Sequence, residues 1–69
     1  MGDVASRGTV TAFDDQVGLG TVTAHDGTDY LFHCVEIADG SRTIAVGTIV
    51  SFQRMAKLGR YEASALTPV

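Results

Sequence analysis

The chain has 69 residues, 45% of them hydrophobic, and its five Lys and Arg against eight Asp and Glu give a net charge of −3. A chain of this length forms one domain at most and buries only about 60% of its unfolded surface. Little apolar material remains to wall a deep catalytic pocket, so an enzyme is not expected. The single Cys cannot form an internal disulfide, which excludes a secreted miniprotein held together by disulfides.

The sequence shows neither a secretory signal nor a membrane span. No charged N-terminal segment is followed by an apolar run, so no secretory signal is visible. No stretch of eighteen apolar residues is present, so no membrane span is predicted. We therefore expect a cytoplasmic protein. The chain has no Asn and one Lys against four Arg, which is typical of a GC-rich bacterial coding sequence.

Apolar and β-branched side chains alternate along the chain with period two, which predicts strands rather than helices. Turn signals separate these strands, among them Asp26-Gly27, a dipeptide typical of tight hairpins, and a hairpin loop at residues 57–60. At most one helical turn is expected, near residues 35–38, within an irregular stretch that continues to residue 47. The predicted strands are residues 9–13, 19–24, 30–34, 49–55 and 61–66.

Five short strands need closure, because a flat sheet of them would bury too little and leave two edges unpaired. A meander of three strands, a longer connection and a final hairpin match a small barrel of the OB type. The predicted fold class is therefore all-β, a five-stranded antiparallel OB-fold barrel. We expect residues 1–7 to form a flexible N-terminal leader and residues 8–69 to form the barrel domain.

Two short segments of the meander carry a resemblance to a known family. Residues 17–22 read Val-Gly-Leu-Gly-Thr-Val, where that family usually has Lys-Gly-Phe-Gly-Phe-Ile. Residues 30–34 read Tyr-Leu-Phe-His-Cys, where it usually has Val-Phe-Val-His-Phe. With Phe13 on the first strand and glycines at the family spacing, the chain resembles a cold-shock domain from Gly8 onward.

The resemblance implies that the chain binds single-stranded DNA or RNA on the face of its first three strands. Phe13 and His33 are retained among the residues that carry this activity in the family. The Lys of the first motif is replaced by Val17. The Lys and Trp of strand one and four exposed Phe are replaced by Thr11, Ala12, Leu19, Thr21, Leu31 and Cys34.

The scarcity of aromatic side chains predicts weak binding. Strand alternation places Leu19 and Thr21 on one face, and Leu31 and His33 on the same face of the neighbouring strand. Each base stacked on an aromatic ring contributes about 1–3 kcal/mol. Without four such rings, at about 1 kcal/mol each, binding is weaker by about three orders of magnitude. His33 is either a remaining base contact or a half-exposed residue that hydrogen-bonds locally.

Charge is unevenly distributed along the chain. Residues 1–41 hold seven acidic residues and one basic, a balance of −6, whereas residues 42–69 hold four basic and one acidic, a balance of +3. A basic cluster surrounds the last predicted hairpin, which in OB folds can border the ligand groove; the alternative is a solvated hairpin tip. The residues predicted to contact nucleic acid are Phe13, Leu19, Thr21, Leu31, His33, Arg54, Lys57 and Arg60.

No cofactor, metal or catalytic group is predicted. His33 and Cys34 are neighbours on a predicted strand, so their side chains point to opposite faces and cannot bind one metal together. Cys34 is expected to face inward as a small apolar residue. An alternative function remains open: a protein-interaction or self-associating OB module, with a protein partner or homodimer contact through Leu19 and Leu31, which has lost nucleic-acid binding.

Overall fold

The computed structural model describes residues 6–69. It contains five strands and one short 3-10 turn, Cys34–Glu36, that follows the third strand. Cys34 begins this turn rather than ending the strand, so β3 stops one residue earlier than the sequence predicts. The strands are β1 (Ser6–Asp14), β2 (Leu19–Ala24), β3 (Asp29–His33), β4 (Ile49–Lys57) and β5 (Arg60–Pro68).

The strands close into a barrel in the order β1-β2-β3-β5-β4. Four of the pairings are antiparallel, and β3 closes the barrel against β5 in parallel through Leu31 and Glu62. The prediction of an all-β, five-stranded OB-type barrel is confirmed, with this parallel closure added. No helix within residues 6–69 is long and apolar enough to cross a membrane.

The predicted leader overlaps the first strand. Residues 1–5 lie outside the described residues. Ser6 and Arg7 belong to β1, where they pair with Phe52 and Ser51 of β4. The barrel therefore includes two residues that precede Gly8, the predicted start of the domain.

The core follows from the period-two pattern, because alternate residues of a regular strand point into the barrel. On β3, for example, Tyr30 and Phe32 are buried while Leu31 and His33 are not. Apolar burial of this kind is the main driving force for folding. The buried apolar residues are Val10, Val22, Tyr30, Phe32, Ile37, Val50, Phe52, Ala63 and Leu66.

Gly20 lets the Phe32 ring lie directly against the backbone of β2. A Cβ built at Gly20 would stand 2.5 Å from Phe32 Cζ and 2.8 Å from the carbonyl oxygen of Ala12. Both distances are too short for a side chain, so the close approach of ring and strand requires glycine.

A β-bulge in β1 decides which way the end of that strand faces. Val10 pairs with Val22, but the next pair is Ala12 with Thr21, so Thr11 is the extra residue. A bulge reverses the alternation beyond it. Phe13, which would otherwise point outward, therefore shares the inner side of the sheet with its partner Gly20.

Candidate nucleic-acid interface

Four of the predicted contact residues form a compact group on the outside of β2 and β3, which we call the outer face. Leu19 pairs with His33, and Thr21 pairs with Leu31. Directly paired side chains lie on the same side of a sheet and close together. His33 is exposed, whereas the other three are partly buried.

The outer face continues onto the last hairpin. Leu31 of β3 pairs with Glu62 of β5, and Lys57 pairs with Arg60 at the hairpin end. Because strand alternation places residues two apart on one side, Arg60 and Glu62 lie on the same side of β5. Lys57 and Arg60 therefore extend the outer face with positive charge.

Arg54, the third cation predicted for the site, lies on the opposite side of the hairpin. It pairs with Ala63, which is buried, rather than with an outer-face residue. The backbone N–H of Thr28 lowers the pKa of Asp26, and the positive charge of Arg54 adds a smaller effect in the same direction. Arg54 therefore lies apart from Lys57 and Arg60, and the basic cluster is divided between two sides of the hairpin.

Glu62 places a carboxylate between the two parts of the interface. Its side chain is only 6% exposed, and it is the buried charged residue among residues 6–69. Arg60 Nη2 donates a hydrogen bond to Glu62 Oε2 at 3.1 Å. His33 Nε2 lies 3.6 Å from Glu62 Oε1, beyond hydrogen-bond distance. Sequence reasoning missed this residue, because nothing in the pattern shows that β5 packs its start against β3.

Phe13 is placed differently from the other predicted contacts. Its ring stacks on the buried ring of Phe32, with centroids 5.9 Å apart and planes 12° apart. The side chain is partly buried against the core. Part of its π-surface is therefore already used inside the barrel, and it does not join the outer face.

Tyr61 is an exposed aromatic that the sequence analysis did not select. All five Phe and Tyr of the chain lie within residues 6–69, and Tyr61, at 60% exposure, is the one classed as exposed. It pairs with Ala56, so it lies on the side of the hairpin that carries Arg54 rather than Lys57. Its position next to Arg60, within the basic cluster, is the feature of the sequence that could have identified Tyr61 as a candidate contact.

Metal-binding residues do not gather in the described part of the chain. Within residues 6–69, no three His, Cys, Asp or Glu side chains are placed to share a metal ion. Cys34 is partly buried and packs against the core, which agrees with its predicted inward orientation.

Comparison with known families matches the chain to a described domain family. The model of the family described as the "'Cold-shock' DNA-binding domain" matches residues 6–69, which is every residue that the structure describes. No curated protein matches the chain at a significant level.

Proposed function

Because the chain belongs to the cold-shock DNA-binding domain family, we propose that it binds single-stranded DNA or RNA weakly, on the outer face and the adjoining hairpin. The family is one of nucleic-acid-binding domains rather than of enzymes. The observation that carries the proposal is the continuity of the outer face with the paired cations Lys57 and Arg60.

Weak affinity follows from the composition of the outer face. Its four central side chains include one ring, the imidazole of His33, and two aliphatic side chains, Leu19 and Leu31. Base stacking on aromatic rings contributes about 1–3 kcal/mol per base. A single-stranded nucleic acid lying on this face therefore gains little binding free energy from base stacking.

Electrostatic contacts are left as the main source of affinity. Cations that neutralise phosphates of a single strand release counterions, and each such contact lowers the slope of log K against log salt by about 0.7. Lys57 and Arg60 stand side by side at the end of the outer face. Arg54 and the exposed ring of Tyr61 offer a second phosphate and base contact on the other side of the hairpin.

The proposal is tested by fluorescence anisotropy of labelled oligo-dT and oligo-U, titrated with protein from low to physiological salt. We expect weak binding at low salt that declines steeply as salt rises. Lys57→Gln should weaken binding about fivefold, because one phosphate is no longer neutralised. Arg7→Gln is the matched control: Arg7 is exposed on β1 and pairs with Ser51 of β4, on the barrel side away from β3. Absence of binding at millimolar protein would contradict the proposal.

The alternative function, a protein-interaction module, stays a prediction. Leu19 and Leu31 are each only partly exposed, so the outer face offers a partner less apolar area than the sequence suggests. Sedimentation over a range of concentrations tests self-association. A concentration-dependent mass that a Leu19→Asp/Leu31→Asp double variant abolishes, without loss of fold, would favour the alternative.

A further inference from the structure

We propose that Glu62 masks Arg60, and thereby holds the nucleic-acid affinity of this chain below the level that its outer face permits. This inference rests on the proposed function. It assigns to a buried carboxylate the role of limiting how many phosphates the hairpin can neutralise.

Glu62 lies between His33 and Arg60, on the path of a nucleic-acid strand that binds to both the outer face and the hairpin. It pairs with Leu31 at the centre of the outer face and lies within 3.6 Å of His33. On its other side it accepts a hydrogen bond from Arg60 at 3.1 Å. A nucleic-acid strand that contacts both His33 and the hairpin therefore passes over the Arg60–Glu62 pair.

Burial makes the Arg60–Glu62 pair persist. The Glu62 side chain is 6% exposed and the Arg60 side chain 62% exposed. A surface ion pair contributes little, because water replaces either partner at small cost. Breaking a buried ion pair, by contrast, is costly, because the remaining partner is left buried and uncompensated. Arg60 is therefore held by Glu62 more strongly than its own exposure suggests, and an incoming phosphate has to compete for it.

Lys57 stands in a different position. It pairs with Arg60 across the hairpin, and among residues 6–69 it takes part in neither of the ion pairs that the structure shows. Both cations lie on the outer-face side of the hairpin, but Lys57 is available to a phosphate and Arg60 is engaged by Glu62. The charge of the hairpin, counted from the sequence, therefore overstates the number of cations that are available to phosphates.

Replacing Glu62 by Gln removes the charge and preserves the shape of the side chain. We expect Glu62→Gln to bind oligo-dT about fivefold more tightly at 0.1 M salt, the gain from about one additional phosphate contact. The slope of log K against log salt should become steeper by about 0.7. Circular dichroism and thermal melting establish that each variant is folded before binding is measured.

Asp39→Asn is the matched control for net charge. Asp39 lies on the connection between the 3-10 turn and β4, and Asn retains the oxygen that accepts a hydrogen bond from the Ser41 N–H at 2.9 Å. The charge change equals that of Glu62→Gln, but a charge separated from the bound strand by more than about 8 Å is largely screened at physiological salt. We expect less than a twofold change in affinity.

A second comparison removes both members of the pair. If Arg60 is masked, the double variant Arg60→Gln/Glu62→Gln, which leaves no carboxylate without its partner, should change affinity less than twofold, whereas Lys57→Gln should weaken binding about fivefold.

The outcomes separate this inference from the proposed function. If the unmodified chain binds and Glu62→Gln changes neither affinity nor salt slope, masking is wrong and the proposed function stands. Equal gains from Glu62→Gln and Asp39→Asn would also refute masking, since net charge alone would explain them. If the unmodified chain and Glu62→Gln both fail to bind, both proposals are refuted.

Discussion

Restoring aromatic side chains to the outer face should convert this domain into a much stronger single-strand binder. The perturbation is the triple variant Leu19→Phe/Thr21→Phe/Leu31→Phe. The three positions lie on adjacent strands, with Thr21 paired to Leu31 and Leu19 paired to His33. All three side chains are partly buried on the outside of the barrel, and none contributes to its buried core. Larger side chains at these positions therefore do not have to enter the buried core.

The magnitude follows from the stacking energy of each new ring. At about 1 kcal/mol per base, the low end of the range, three rings contribute about 3 kcal/mol, which corresponds to about a hundredfold tighter binding. The salt slope should change little, because stacking releases no counterions. A gain in affinity at constant salt slope therefore distinguishes stacking from a change in electrostatics.

Fluorescence anisotropy with labelled oligo-dT measures both quantities on the folded variant. Ser51→Phe is the control: Ser51 lies between the buried residues Val50 and Phe52, points outward, and pairs with Arg7 on the side of the barrel away from β3. It adds an aromatic ring where no nucleic acid is expected to bind, and it should leave affinity unchanged. The reasoning is refuted if the triple variant folds and binds no more tightly than the unmodified chain, or if Ser51→Phe produces a comparable gain.

Three further predictions concern the barrel itself. Gly20→Ala should destabilise it by about 1–3 kcal/mol, because the new Cβ collides with the Phe32 ring; each 1 kcal/mol lowers Tm by about 4–8 °C in a domain of this size. Ala65 has a φ of 51°, in the left-handed region that disfavours a Cβ, so Ala65→Gly should stabilise the fold by about 0.5–1 kcal/mol. The Thr28 N–H donates to Asp26 Oδ1 and lowers the pKa of that carboxyl below its ordinary 3.8. The stability from this bond is present above pH 3.8 and is lost as pH falls through the lower pKa of the folded chain.

Each of these predictions has a contrary result. An unchanged Tm for Gly20→Ala would show that Phe32 does not lie against β2. Ala63→Gly, at a buried strand position with ordinary φ, is the control for Ala65→Gly and should destabilise by about 0.5–1 kcal/mol; equal effects at the two positions would contradict the argument from φ. An NMR titration in which the Asp26 carboxyl protonates at or above pH 3.8 would remove the basis of the pH prediction.

Much of the fold could be predicted because the strand pattern is local. Alternation located the strands to within a few residues, and Asp26-Gly27 marked a turn in which Gly27 has a φ of 89°. Closure into an OB-type barrel followed from the need to pair the edges. The parallel contact of Leu31 with Glu62 was not predictable from spacing, because it joins strands that are distant in sequence.

The candidate site was predicted less completely, for two physical reasons. The bulge at Thr11 leaves no signal in the alternation, yet it turns Phe13 toward the interior and onto Phe32. Counting charges along the chain also treats Arg60 as free, whereas its availability depends on the buried carboxylate of Glu62. Both effects come from contacts between strands, which residue order does not reveal.

The most direct test of single-strand binding on the outer face is an amide-resolved NMR titration of the chain with a short oligo-U at low salt. We expect progressive shifts at Leu31, His33 and residues 57–62, with little change at Arg7 and Ser51. No shift at millimolar oligonucleotide, or shifts confined to the β1–β4 side of the barrel, would contradict it.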